Sequence, residues 1–541
     1  MSDNITRGTP VGNSIERNIE NKVKTKLIEN IDTIIATLLA VLMYILASRF
    51  ARLDIDPHHD GILLKPAIDV LNGMVLFRDT FTQYGAFFTY FQAMALAVFG
   101  VELLTIRLQT AFMYAVTAFF SYKCWRFFLP RPLAVISGFL FIGIAPFFVY
   151  MFYPWSSVAA KAQMAIIIFC LMKFINGKNY KYILLAGLMS AIAFYTRQPV
   201  GIVAFLGTLP LLVSYYIFMD KENANLKKLF VHFLLGAFSV ILIYSLYLAV
   251  TGAFYDWYAQ SIRQMWRFGT THGGGPSNIP LHLFPVWHQS AIWLVMPVIC
   301  ILLFLNFCAS KVSFKETFIS KRLKLAEGAS EKELHILTFV VLGIASWHQY
   351  YPQPCINHLY WATGFMTGIF VYFFWEIINL KSVIKKGICL GLVILFFFSA
   401  DITQRVRGGI NRYNAFPITI DYGFHLNGMR VNETMYNFLR VYFEFVEQLK
   451  EMFPGKPFVN YTTCGLWGIT FGENLTNMPV NWGNNIYSDF TEKLQRQIER
   501  YRPVIVSYTV INQPGYVEIA RLGYISFFIH EDDIVMMFGE Q

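Results

Sequence analysis

The chain of 541 residues is 55% hydrophobic and only 14% charged, against about 25% charge in an average soluble protein. That composition excludes a water-soluble enzyme of this length and a disordered chain. An aromatic share of 17% suits a protein whose solvent is lipid and headgroup. The net charge of +10 does not point to nucleic acid, because Lys and Arg of polytopic proteins collect in cytoplasmic loops.

Residues 1–30 are polar and carry no cleavable signal pattern, so the first apolar run reads as an uncleaved span. Runs long enough to cross a bilayer, about 17–25 residues, lie near 31–50, 104–121, 133–151, 158–175, 181–195, 200–218, 229–250, 288–308, 334–350, 358–378 and 385–401, eleven in all. A shorter run at 85–99 sits between polar clusters and reads as a helix on the membrane surface. With the N-terminus inside, the inner segments hold 23 Lys and Arg and the outer loops 7. That bias supports eleven spans, N-terminus in and C-terminus out.

The expected fold is thus a polytopic α-helical membrane protein of about eleven transmembrane helices. Residues 1–30 form a cytoplasmic segment and 31–401 the membrane module, with an outer loop at 51–103. Residues 402–541 turn to a soluble pattern, a small extracytoplasmic α/β domain. Within it Glu433–Met452 and Ser488–Arg500 read as helices. Lys456–Tyr461, Pro503–Thr509 and Tyr524–His530 read as strands, and Asp533–Phe538 as the closing strand of a hairpin. The seven cysteines show no metal spacing and read as small buried hydrophobes.

The first outer loop carries the most chemistry. It gathers Asp54, Asp56, Asp60, Asp69 and Asp79 with His58 and His59 directly after a span, where carboxylates are costly unless paired or wetted. His59-Asp60-Gly61, Gly73, Phe77-Arg78-Asp79, Gln83-Tyr84-Gly85, Phe99-Gly100 and Arg107 follow in order over about 50 residues. This ordered set resembles the GT-C glycosyltransferases: protein O-mannosyltransferases, the aminoarabinose transferase of lipid A and their bacterial relatives. The resemblance implies a GT-C-like fold, a polyprenyl-phosphate sugar donor, and transfer to an acceptor hydroxyl outside the cytoplasm. The acceptor stays open among lipopolysaccharide, polymer, protein and lipid, and a bacterial inner membrane fits this reading best.

Two departures stand out. The family's acidic pair is His59-Asp60 here, so one carboxylate is missing. The second outer loop, where many relatives carry another acid, reads Tyr153-Pro154-Trp155-Ser156-Ser157. A bound divalent cation is therefore not favoured. An inverting displacement needs one carboxylate base opposite the phosphate, for which Asp60 is the first choice and Asp56 the reserve. His59 is a further candidate, as a base or as a partner of these acids.

Holding a phosphate outside calls for cations that break the positive-inside bias, and Arg suits it by its planar fork. Arg78 lies in the resembling motif, Arg197 in a five-residue turn, Arg263 and Arg267 in one outer loop, and Lys65 is more ambiguous. Tyr84, Trp155, His348 and His358 are candidates to contact donor or acceptor. The glycine-rich stretch 268–279, with His272, reads as a lid over the donor. Two rivals stand beside the transferase. A transporter or flippase of lipid-linked sugars would place acids within spans and repeat its halves, whereas these spans are nearly free of acids and show no repeat. A polymerase or ligase of lipid-linked glycans shares the chemistry but not the acidic first-loop pattern.

Overall fold

The structure, a computed structural model, describes residues 11–219, 225–264, 266–267, 291–311, 328–350, 356–378 and 402–538, apart from 473, 476 and 477, with a few positions between 382 and 394. The chain opens with α1 (Val11–Ala51), and a short loop leads into α2 (His59–Leu71) and α3 (Ala86–Phe99). Then come α4 (Leu103–Trp125), α5 (Arg131–Gly143), α6 (Ser156–Gly177), α7 (Lys181–Thr196), α8 (Gln198–Phe218) and α9 (Leu226–Thr251). Six helices among the described residues are long and apolar enough to cross a membrane: Lys26–Ala51, Leu103–Trp125, Arg131–Phe148, Ser156–Gly177, Gln198–Phe218 and Leu226–Thr251. Helix α7 is apolar but only 16 residues long.

Of the later expected spans, one is a continuous helix and two are broken. Residues 288–308 correspond to a helix at Ala291–Lys311, and 334–350 to a helix at Glu331–Ser346 that ends in a 3-10 turn at Trp347–Tyr350. Residues 358–378 are broken into Ile356–Thr363, a 3-10 turn at Gly364–Met366 and Thr367–Ile378. Most of 385–401 lies outside the described residues, as does the glycine-rich stretch with His272. The run 85–99 is a separate 14-residue helix, α3, too short to span.

Successive helices alternate in direction, so the loops after α1, α5, α7 and α9 gather at one end of the bundle. At the other end Asp32 of α1 is clasped by Arg126 at 3.0 Å and Arg131 at 2.8 Å. Together these two arginines fix the turn between α4 and α5 against α1.

Residues 402–538 build a mixed sheet against the loop end. Its strands are β3 (Phe458–Asn460), β4 (Val504–Ser507), β5 (Tyr516–Leu522) and β6 (Ile525–His530), in the order β3-β4-β6-β5. The β3–β4 pair is parallel and the other two are antiparallel. A small ribbon, β1 (Ile418–Thr419) with β2 (Arg430–Val431), precedes it. The hairpin expected at Asp533–Phe538 is not formed. Glu531–Phe538 is a helix with Glu531, Asp532 and Asp533 in its first turn, where acids complement the helix dipole. The partner of β6 is instead β5, whose half-exposed residues Tyr516–Leu522 gave a weaker strand signal.

One apolar core joins this sheet to the first outer loop. Ile62 and Leu63 of α2 and Leu103 and Ile106 of α4 share it with Tyr442, Trp467, Val504 and Phe527. The approach is closest at Gly61, where a Cβ would lie 1.8 Å from the backbone nitrogen of Leu466. Only glycine lets these two backbones meet.

Candidate functional site

The loop after α1 is pinned before the chemistry begins. Asp54, with φ 63°, donates its N–H to the carbonyl of Arg430 at 2.7 Å, and Arg430 donates to Arg52 at 2.6 Å. Asp is one of the few residues that tolerates this left-handed conformation. Asp56 then caps α2. Its Oδ1 accepts the N–H groups of His58 at 3.0 Å and His59 at 3.1 Å, and Oδ2 of Asp60 accepts the N–H of Asp56 at 2.9 Å. A reciprocal exchange of this kind satisfies donors that a helix start leaves open.

Asp60 is wholly buried and faces Arg107, itself wholly buried on α4, through bonds of 3.1 and 2.5 Å. The same guanidinium donates to the carbonyls of Ala51, Leu53 and Asp54 at 3.0–3.2 Å. Arg107 therefore ties the end of α1, the loop and α2 together. Burial pushes the Asp60 carboxyl up and Arg107 pulls against it. With both oxygens engaged by Arg107 and the Asp56 N–H, Asp60 is badly placed to take a proton from an acceptor. Asp60, the first choice from the sequence, is thus held inward by an arginine 47 residues further along the chain.

Asp56 is placed differently. Its Oδ2 lies 2.7 Å from Nδ1 of His59 and 3.2 Å from the hydroxyl of Tyr153. Burial alone would raise its carboxyl. The hydrogen bond and charge of His59, with the N–H groups of His58 and His59, outweigh burial and take it down to about 2. A nitrogen that close to a carboxylate must carry the proton, so in neutral His59 the lone pair sits on Nε2. The His59 side chain is 37% exposed, and among the described residues no partner is bonded to its Nε2. His58 makes a parallel contact, Nδ1 to the carbonyl of Thr463 at 2.6 Å, which fastens α2 to the C-terminal segment.

An aromatic wall flanks this pair. The His59 ring lies 4.9 Å from Tyr153 and 5.4 Å from Trp155, which stack on each other at 4.9 Å. Trp155 continues to His358 at 5.9 Å and Trp361 at 5.0 Å. Behind it, Trp155 Nε1 and the hydroxyls of Ser156 and Ser157 are buried with no hydrogen-bond partner among the described residues. Such groups are costly unless something meets them. The structure thus brings Asp56, His59, Asp60, Trp155 and His358 together. The side chain of His348 lies outside the described residues.

The expected cations are less concentrated. Arg78 is half exposed, pairs with Asp79 at 2.7–2.8 Å and donates to the carbonyl of Thr251 at 2.8 Å. Lys65 pairs with Asp69 at 2.7 Å, and Thr80 donates to the same carboxylate. Arg263 donates to the carbonyl of Ile486 and Arg267 to that of Asn485. These four side chains clamp backbone or acids. Arg197 counters, in part, the rise that burial imposes on the phenol of the partly buried Tyr84.

Two cations were missed. Arg412, on the helix Ile402–Ala415, donates to the carbonyls of Phe147 and Tyr150 and feels the charges of Asp54, Arg107 and Tyr153. It escaped notice because it follows the last expected span, where soluble composition begins. Lys161 is wholly buried on α6, with Nζ 3.0 Å from the Tyr360 carbonyl and 3.5 Å above the Tyr360 ring. Its signal was visible as a lone cation inside an apolar run. Among the described residues no three His, Cys, Asp or Glu side chains are grouped as metal ligands would be.

Comparison with known proteins agrees with the class of fold. Residues 85–248 match the family described as dolichyl-phosphate-mannose-protein mannosyltransferase. No curated protein matches the sequence. Among solved structures, ArnT from Cupriavidus metallidurans bound to undecaprenyl phosphate superposes with a TM-score of 0.52 at 11% identity, covering 92% of this chain and 97% of that one. A looser likeness is to the archaeal oligosaccharyltransferase AglB from Archaeoglobus fulgidus, in complex with an inhibitory peptide and a dolichol-phosphate. There the TM-score is 0.49 at 11% identity, over 89% of this chain and 69% of that one. The chain thus shares its fold with ArnT, and residues 85–248 match a family of the kind that the ordered motifs of the first outer loop resemble.

Proposed function

We propose that the protein moves one sugar from a polyprenyl-phosphate carrier to an acceptor hydroxyl on the extracytoplasmic face of a bacterial inner membrane, with inversion. In this reading the chain crosses the membrane about eleven times, N-terminus inside, and residues 402–541 form an outer domain over the site.

The observation that carries the mechanism is the 2.7 Å bond from His59 Nδ1 to Asp56. It fixes the tautomer, leaving Nε2 to accept the acceptor's proton, as an oriented imidazole does in other acid–base sites. The acceptor oxygen then forms its bond to the sugar's anomeric carbon. The bond from that carbon to the phosphate oxygen breaks, and its electron pair leaves with the lipid phosphate. Cations stabilise that developing charge. Arg412 is the first choice, since among the described residues it meets carbonyls and no carboxylate at ion-pair distance. Arg197 beside Tyr84 is the second. Trp155, Ser156, Ser157 and His358 offer the polar and stacking contacts for a sugar ring.

The test is binding and transfer with detergent-solubilised protein and a panel of radiolabelled polyprenyl-phosphate sugars. Saturable binding of one donor, kept in His59→Ala while transfer is lost, is the expected result. No binding of any donor by the unmutated chain would favour the transporter reading instead.

A further inference from the structure

The C-terminal sheet carries an aromatic tip to the reacting pair. Strands β5 and β6 are joined by two residues, Gly523 and Tyr524, with Leu522 opposite Ile525. Gly523 has φ 59°, the positive value that a tight hairpin turn requires at its first central position. Tyr524 is thereby held at the outermost point of the hairpin, 54% exposed.

That point is not remote. The Tyr524 ring belongs to a set of contacts that leads back to the first outer loop. It stacks on Phe438 at 5.9 Å and meets Tyr508 edge-on at 5.2 Å. Tyr508 donates to Cys464 Sγ at 2.7 Å and accepts from the buried Trp467 Nε1 at 2.9 Å. Thr463, the neighbour of Cys464, holds His58. An unbroken set of contacts therefore runs from the hairpin tip to the start of α2, and its far end is the His59–Asp56 pair.

We propose that Tyr524, backed by Phe438 and Tyr508, is a stacking platform for a pyranose ring of the acceptor, so that the acceptor is a glycan. This rests on the transferase reading above. A pyranose has one face of C–H groups and a rim of hydroxyls, which matches an aromatic ring with a polar end. The alternatives fit worse. One ring on a two-residue turn is far smaller than the roughly 1,000 Å² a protein partner needs. A phosphorylated acceptor would want a cation, yet Arg521 is tied to Glu518 at 2.8 and 3.0 Å and Asp56 is an anion.

The experiment uses the full chain in detergent on an array of pyranose oligosaccharides, with undecaprenyl phosphate binding measured in parallel. The unmutated chain is expected to bind a subset of the array. Tyr524→Ala should weaken that binding by about tenfold, the scale of one stacked aromatic contact, while Tyr524→Trp restores it. The thermal midpoint of Tyr524→Ala should stay unchanged, since the ring is exposed. Array binding that is absent, or equal in Tyr524→Ala, overturns the platform. If undecaprenyl phosphate still binds in that case, the transferase reading survives; loss of both removes it as well.

Discussion

The Asp60–Arg107 pair reads as an anchor of the first outer loop, and that reading can be tested directly. Both side chains are wholly buried, joined by two hydrogen bonds, with three main-chain carbonyls on the remaining donors of Arg107. Removing one member of such a pair leaves an uncompensated charge and typically costs about 3–5 kcal/mol, whereas replacing both by apolar groups is often near neutral. Arg107→Ala should sit at the upper end of that range, because it also strips the carbonyls of Ala51, Leu53 and Asp54. Asp60→Asn keeps the shape but leaves a guanidinium without its counter-charge, so a loss of about 3 kcal/mol is expected. The assay is thermal unfolding in detergent, alongside transfer activity at a temperature where the variants remain folded. The double variant Asp60→Leu with Arg107→Leu should recover part of the stability that each single change loses. An Asp60→Asn protein with an unchanged midpoint and no transfer would refute this reasoning and return Asp60 to the role of base.

The Asp56 carboxyl is depressed in the folded chain to about 2, against an ordinary value of about 3.9. A depressed acid contributes stability above its unfolded value, and that contribution disappears as pH falls through the folded value. The difference amounts to about 2.6 kcal/mol at most. The midpoint gap between the unmutated chain and Asp56→Asn should therefore be full at pH 6 and close between about pH 4 and 2; a constant gap would show that Asp56 is not ionised and paired. Arg412→Ala should weaken undecaprenyl phosphate binding by about tenfold or more, the range for a lost charge-assisted contact, with Arg78→Ala near the unmutated chain because Arg78 is already held by Asp79 and Thr251. The reverse order would move the phosphate site to Arg78. His59→Asp restores the acidic pair of the resembling family and should keep measurable transfer, with the acid limb of its pH–rate profile moved down, as carboxylates titrate below imidazoles. An unchanged profile would exclude residue 59 as the base.

Much of this arrangement was legible in the sequence because composition and local order determine it. Apolar runs name spans wherever the lipid alone decides, so α1, α4, α6, α8 and α9 were placed within a few residues. The runs after residue 288 were harder, since breaks such as Gly364–Met366 arise from packing between helices rather than from hydropathy. In the outer segment, strongly amphipathic Glu433–Met452 was plain, while half-exposed Tyr516–Leu522 carried no clean alternation. The first outer loop announced its importance by its acids and imidazoles. What it could not announce is which acid is enclosed. That depends on Arg107, 47 residues further on, and on the backbone of Leu466, 405 residues beyond Gly61 in position and less than 2 Å from its would-be Cβ. Cations were misjudged for a similar reason: an outer arginine looks free until its carbonyl or carboxylate partner is seen.

The departure from the family's acidic pair gains a physical account from this geometry. A pair of adjacent acids at a helix start has two tasks, one facing inward to fix the loop and one facing outward to meet substrate. Asp60 performs the first against Arg107, and nothing but an acid of that size satisfies both the guanidinium and the Asp56 N–H. Residue 59 faces the other way, toward Tyr153 and Trp155, and an imidazole can stand there only if something sets its tautomer. Asp56 does so from three residues earlier, while capping the same helix. In the proposed mechanism the carboxylate lies one helical turn back from residue 59, where it orients the imidazole instead of meeting the acceptor.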